Sequence, residues 1–266
     1  MDEIRTGEQE DRQDLPFSLK RVVLVVGNYG SGKTEVAVNL AIRLSGKQDV
    51  SIADLDIVNP YFRCREAREE MERFGIRVIN PDGEYQAADL PIILPEIKGA
   101  ALSGEGRLIF DVGGDDVGAR VLSSLADFLA DGSCSVLQVI NAKRPFTESA
   151  EGCLKIKGEI EAASRLQVTG LISNTHLLED TDVATISEGL ELARRVGESA
   201  GIPVVFATVS EHLRNGFDEQ VAGCPILWIK RRMLPPWKLK SMTDKAARVL
   251  GRAPELERNG TSRRVK

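Results

Sequence analysis

The stretch Val22-Val23-Leu24-Val25-Val26-Gly27-Asn28-Tyr29-Gly30-Ser31-Gly32-Lys33-Thr34 constrains this chain more than any other. Five apolar residues in a row read as a buried parallel strand. They run directly into G-x-x-x-x-G-K-T, the phosphate-binding P-loop pattern. Ala37, Leu40, Ala41 and Leu44 then recur with the period of a helix. Strand, glycine loop and helix in that order make an anion cradle. Glycines let successive backbone N–H groups curl toward one phosphate cluster, and the helix adds the positive end of its dipole. Lys33 brings a mobile positive charge to β- and γ-phosphates, and the Thr34 hydroxyl is a magnesium ligand. The pattern assigns Gly27, Asn28, Tyr29, Gly30, Ser31, Gly32, Lys33, Thr34 and Glu35 to a nucleoside triphosphate.

A strand that feeds a P-loop belongs in a parallel sheet, and the remaining apolar runs supply one. Val50–Ala53 ends in Asp54-Leu55-Asp56, and Leu108-Ile109-Phe110 ends at Asp111. Further runs lie at Val136–Ile140, Val168–Ser173, Ile202–Ala207 and Ile226–Ile229. Helical patterns separate most of them. Asn59-Pro60 reads as a cap and first turn before Ala67, Met71 and Phe74. Val121, Leu125, Phe128 and Leu129 mark a second helix, and Ile186, Leu190, Ala193 and Gly197 a third. Asn80-Pro81-Asp82-Gly83 is a turn, with an irregular stretch over 84–96. The alternation predicts one α/β domain, residues 19–240, with a doubly wound, mostly parallel sheet of about seven or eight strands. Residues 1–18 read as a disordered acidic arm, and 241–266 as a helix and basic tail. Lys245, Ala246, Val249 and Leu250 would give that helix an apolar face too small for firm membrane anchoring.

Composition narrows the function. A net charge of -5 leaves no basic excess for non-specific nucleic-acid binding. Four cysteines without C-x-x-C spacing favour a reducing cytoplasm over a disulfide or zinc framework. His176 and His212 are too few for most metal constellations, and no run reaches transmembrane length.

Several polar residues stand where apolar strands end, facing the P-loop. Asp111 fits a carboxylate that holds magnesium, or else an ordinary strand-end cap. Gly113 and Gly114 bring a backbone N–H toward a γ-phosphate, or make a plain turn. Asp54 and Asp56 share one face in extended structure, where one would orient water or support the metal. Asn174 offers an amide that matches adenine N6 and N7, though a turn Asn fits the same place. Guanine readers usually carry N-K-x-D, which Asn141-Ala142-Lys143-Arg144 is not. Thr208, Val209 and Ser210 are candidates for the other wall of the base pocket.

The P-loop, Asp54-x-Asp56-Ile57-x-Asn59, Asp111-Val112-x-Gly114-Asp115 and Gly170-Leu171-Ile172-x-Asn174 occur in that order over about residues 20–210. Together they resemble the MinD/ParA/nitrogenase-iron-protein group of P-loop ATPases. The resemblance implies magnesium and ATP as ligands, with Asp56 activating water and Asp111 and Asp56 in the metal shell. It implies Gly114 as the γ-phosphate sensor and Asn174 at the adenine. It further implies an ATPase that acts as a nucleotide-gated switch on a partner protein, and a nucleotide-dependent homodimer; with Lys33 as the one assigned lysine at the phosphates, its turnover should be slow. Many of its members carry a lysine after the first P-loop glycine that reaches the partner's phosphates across that dimer. Asn28 stands there instead, with Arg63, Lys143 and Arg144 as candidate replacements. The iron protein's cluster cysteines have no counterpart. Two rival readings remain: a biosynthetic enzyme of the cobyrinate or dethiobiotin synthetase type, with a second pocket built from Arg63, Tyr85 and Arg144, and a module that binds ATP without hydrolysing it.

Overall fold

The structure, a computed structural model, describes residues 15–55, 67–79, 95–114, 122–126, 129 and 132–233. Its strands are β1 (Val22–Gly27), β2 (Val50–Leu55), β3 (Arg77–Ile79), β4 (Arg107–Val112), β5 (Cys134–Ile140), β6 (Gly170–Ser173), β7 (Val204–Ser210) and β8 (Ile226–Ile229). All pair in parallel, in the order β3-β2-β4-β1-β5-β6-β7-β8. The doubly wound sheet expected from the alternation of runs is present, with eight strands. The chain fills the β4 side of β1 first and the β5 side afterwards. The order therefore reverses at β1, the place where ligands gather beyond the carboxyl ends of such strands.

Strand alternation sorts the core into two layers. Val23 and Val25 face one side with Ile109, Val139, Ile172 and Phe206, under α1 (Lys33–Leu44) and α2 (Arg68–Arg73). Val22, Leu24 and Val26 face the other with Phe110 and Leu108, under α3 (Pro95–Leu102) and the helical residues 122–126. On that second side α4 (Ala150–Ser164) and α5 (Val183–Ala200) cover β5 to β7. Ser149 and Asp182 cap these two helices, each accepting a backbone N–H of the first turn at 3.1 and 2.8 Å. The last short helix is α6 (Glu219–Ala222).

Three details depart from the sequence reading. β3 is a three-residue strand with Arg77 exposed, too short and too polar to stand out as an apolar run. Pro95 and Glu96 were expected in an irregular stretch, yet they open α3, where a missing proline N–H costs nothing. Leu15, Phe17 and Leu19 pack against the core, and the Phe17 ring stacks on Phe206 at 4.5 Å, although residues up to 18 read as an arm. Residues 1–14 and 234–266 lie outside the described residues, and so do the expected cap at Asn59-Pro60, the turn at 80–83 and the tail helix. No helix among the described residues is long and apolar enough to cross a membrane.

Candidate nucleotide site

The P-loop leaves the carboxyl end of β1 at the reversal of strand order and enters α1 through Gly32. Gly32 has φ +89°, and a Cβ there would stand 2.3 Å from Asn174 Nδ2. Only glycine meets both conditions, which fixes the loop against the end of β6. Lys33 and Thr34 are the first helical residues, and both are buried. Lys33 Nζ donates to the Asn28 carbonyl at 3.0 Å, so the side chain folds back along its own loop. Gly114 follows β4 and lies against the P-loop. A Cβ on it would stand 2.7 Å from Lys33 Nζ and 2.8 Å from Tyr29 N. Gly114 thus has no room for a side chain against the P-loop.

Asp54 and Asp111 are the penultimate residues of β2 and β4 and are register partners. Strand alternation places both on the face that carries α1, with Ile52 and Ile109, and both are fully buried. A buried carboxylate needs compensating charge or hydrogen bonds. Thr34 and Asp111 offer hard oxygen donors, which suit magnesium held by few protein groups and by phosphates. Asp56, the expected water-activating residue, lies outside the described residues, as do Asp115, Arg63 and Tyr85.

A cavity of about 460 Å³ opens from the P-loop toward β8, within the roughly 300–1,000 Å³ usual for small-molecule sites. Gly30, Gly32, Lys33 and Thr34 line its P-loop end. Its other end is bounded by the loop after β6 and by Thr208, Ser210, Arg231 and Met233. Arg231 pairs with Glu179 at 2.5 Å across this end. Asn174 sits between the two ends. Its Nδ2 donates to the Ser31 carbonyl at 2.7 Å, and its Oδ1 accepts from the Thr208 hydroxyl. The amide anchors the P-loop and keeps one hydrogen and one lone pair for a ligand.

Val209 is a correction. Alternation along β7 sends it into the core beneath α5 with Ile186, Leu190 and Phe217, while Thr208 and Ser210 face the cavity. Glu35 borders the cavity, but its carboxylate is spent elsewhere. It accepts from the backbone N–H groups of Arg232 and Met233 at 2.8 and 3.1 Å. Burial raises its pKa against the pull of those bonds, of Asn39 and of Arg232. Asn28, in the position of the absent lysine, donates to the Pro145 carbonyl at 3.0 Å. Of that lysine's candidate replacements, Lys143 pairs with Glu188 of α5 at 2.5 Å. Arg144 lines the cavity beside the P-loop.

His176 was not singled out for the site by the sequence. Its ring lines the cavity, with Nε2 3.4 Å from where a Gly32 Cβ would be. Burial, then the charges of Arg144 and Arg231, push its pKa down to about 4, so it faces the loop as a neutral imidazole. Its position one strand-end loop away from the P-loop left no spacing to read.

No protein-family model matches the chain, and no curated protein does. Solved structures do match. The cell division protein FtsY of Thermotoga maritima shares 21% identity over 83% of this chain and 74% of its own, with a TM-score of 0.52. Chloroplast FtsY of Physcomitrella patens shares 20% over 83% and 70%, with a TM-score of 0.50. The signal recognition particle receptor FtsY of Elizabethkingia anophelis, solved with GDP, shares 19% over 78% and 64%, with a TM-score of 0.49. At such identities the likeness shows the fold, that of a P-loop NTPase domain. It does not single out the MinD/ParA group that the order of motifs resembles.

Proposed function

We propose that this protein binds magnesium ATP in the cavity above β1 and hydrolyses it slowly, as a nucleotide-gated switch on a partner protein. The observation that carries the reading is the approach of Gly114 to Lys33 Nζ and the Tyr29 backbone N, with the buried carboxylate of Asp111 near the end of the neighbouring strand. Lys33 and the P-loop N–H groups would hold the β- and γ-phosphates. Thr34 and Asp111 would hold magnesium, which supplies charge neutralisation when bound. Asp56 would take the proton of the attacking water. Gly114 would follow the γ-phosphate as it leaves, and so carry the state of the site to the loop after β4.

Adenine is favoured over guanine by what surrounds Asn174. Read as N-x-x-x, the segment is Asn174-Thr175-His176-Leu177, with neither the lysine nor the carboxylate of N-K-x-D. The carboxylate that borders this end, Glu179, is engaged by Arg231. The test is isothermal titration of magnesium ATP and of magnesium GTP into the wild type and Lys33→Ala, with phosphate release in parallel. We expect preference for ATP, greatly weakened binding by Lys33→Ala, and binding without turnover by Asp56→Asn. Unchanged affinity in Lys33→Ala would remove the site, and preference for GTP would replace the base assignment. Near-normal phosphate release by Asp56→Asn would move the proton acceptor to Asp54 or Asp115.

A further inference from the structure

The loop between β5 and α4 is built more tightly than a connection requires. Asn141 is fully buried, and its Oδ1 accepts the Lys143 N–H at 3.0 Å. Its carbonyl accepts the Arg144 N–H at 3.1 Å and the Thr147 hydroxyl at 2.8 Å. The Thr147 N–H returns to the Arg144 carbonyl at 3.2 Å. Phe146 takes φ +68°, a conformation that costs a non-glycine residue. Ala142 N donates to Thr175 Oγ1 at 2.9 Å, and Asn28 of the P-loop holds the Pro145 carbonyl. These bonds fix the backbone on both sides of Arg144.

The side chain they aim lies on the P-loop. A Cβ on Gly30 would stand 3.7 Å from Arg144 Cδ and Nε and 3.9 Å from Cζ. Arg144 Nε is buried with no hydrogen-bond partner among the described residues. Its charge also acts on His176, which lines the same cavity. A guanidinium gives up a donor in a buried place only at a cost, and a phosphate oxygen is the acceptor this cavity is shaped to receive.

We propose that Arg144 is a catalytic arginine supplied in cis, whose guanidinium meets the triphosphate at the β–γ junction over Gly30. The proposal rests on the triphosphate reading of the cavity. In the reaction the water oxygen bonds to the γ-phosphorus while the bond from that phosphorus to the β–γ bridging oxygen breaks. The bond's electron pair stays on the β-phosphate, and the water's proton passes to the carboxylate base and then to solvent or product phosphate. Nucleoside diphosphate and inorganic phosphate result. Negative charge grows on the bridging and β-oxygens in this step, so a cation held there stabilises the transition state more than the bound substrate. Arg144 would do what the absent residue at Asn28 does from a second subunit, and the protein would need no second copy to complete its site. Asn28, by holding Pro145, would be a positioning residue for it.

The test is single-turnover hydrolysis of the bound triphosphate. Arg144→Ala should lower the rate by ~10²–10³-fold, the range for removing one such donor, with diphosphate affinity little changed. Arg144→Lys should fall between the two. Added guanidinium at non-denaturing concentration should restore part of the Arg144→Ala rate, which no merely structural role would allow. Lys143→Ala should keep the wild-type rate. A mixture of Arg144→Ala and Lys33→Ala should stay as slow as Arg144→Ala alone. Recovery in the mixture would mean that the arginine acts across a dimer and would overturn the cis assignment. A wild-type rate in Arg144→Ala, beside lost binding in Lys33→Ala, would overturn the role of Arg144 and leave the nucleotide site standing. Failure of the wild type to bind any nucleotide would remove both.

Discussion

At Asn174 one side-chain amide is shared between the P-loop and Thr208 at the end of β7. Removing it leaves the Ser31 carbonyl buried without its donor and leaves the Thr208 hydroxyl only the more distant Ser173 carbonyl at 3.4 Å. An unsatisfied buried group costs about 1–3 kcal/mol. Asn174→Ala should therefore lower both the melting temperature and the gap between ATP and GTP affinity. A variant that loses base preference at unchanged stability would make the amide a base reader only. His176 gives a second prediction at this scale. Its folded pKa, about 4, lies below the ordinary 6.5, so the unfolded chain binds the proton more readily in the interval between. Its contribution is present above pH 6.5 and is lost as pH falls toward 4. Glu35, shifted upward, works in the opposite direction above its ordinary 4.5. The comparison must therefore be with His176→Gln, titrated in urea without nucleotide. The wild type should lose stability relative to the variant across that window, and parallel curves would refute the burial of a neutral ring.

At the scale of elements, α1 is held from two directions. The sheet lies under it, and the segment after β8 straps its outer side. Asn39 donates to the Lys230 carbonyl and accepts the Lys230 N–H, both at 3.0 Å, one turn beyond the bonds that Glu35 accepts. Arg232 reaches Glu70 of α2 from the same strap. Because Arg231 and Met233 border the cavity, the strap ties the start of the P-loop helix to the β8 end of the cavity. Glu35→Ala should speed amide exchange at Arg232 and Met233 and weaken nucleotide binding together. Faster exchange with undiminished affinity would separate the strap from the site. The P-loop, β1 and α1 were legible in the sequence because glycine spacing and hydrophobic period fall in one continuous stretch. The strap was not, since Glu35, Asn39 and residues 230–233 meet only after some two hundred residues of intervening chain. Val209 reads as pocket wall when the apolar run is ended at Ala207, whereas β7 continues to Ser210 and its alternation turns the Val209 side chain into the core. Arg144 was one of three cations with equal claim until the Lys143–Glu188 pair removed one of them.

The rate of turnover is set by the whole molecule, because it depends on which charges the fold itself brings to the γ-phosphate. A P-loop NTPase with no arginine at the phosphates turns over at ~10⁻⁴ s⁻¹, and one with an arginine in cis at ~10⁻² s⁻¹. With Lys33 and Arg144 both on this chain, hydrolysis should run near ~10⁻² s⁻¹, far below the enzyme median of ~10 s⁻¹. If Arg144 completes the site in cis, the rate per molecule should also be independent of protein concentration. Such a rate suits a switch, whose triphosphate form must outlast the search for a partner. A biosynthetic enzyme would instead bind a small substrate beside the γ-phosphate and turn over briskly once it was supplied. Arg144, which would have helped to build that second pocket, lies against the P-loop. Steady-state phosphate release from the purified protein distinguishes the two readings, first alone and then with cell extract divided into protein and small-molecule fractions. We expect slow release alone and stimulation by the protein fraction. Fast release alone, or stimulation confined to the small-molecule fraction, would reverse the reading in favour of synthesis, because a switch has no small substrate whose arrival could assemble its site.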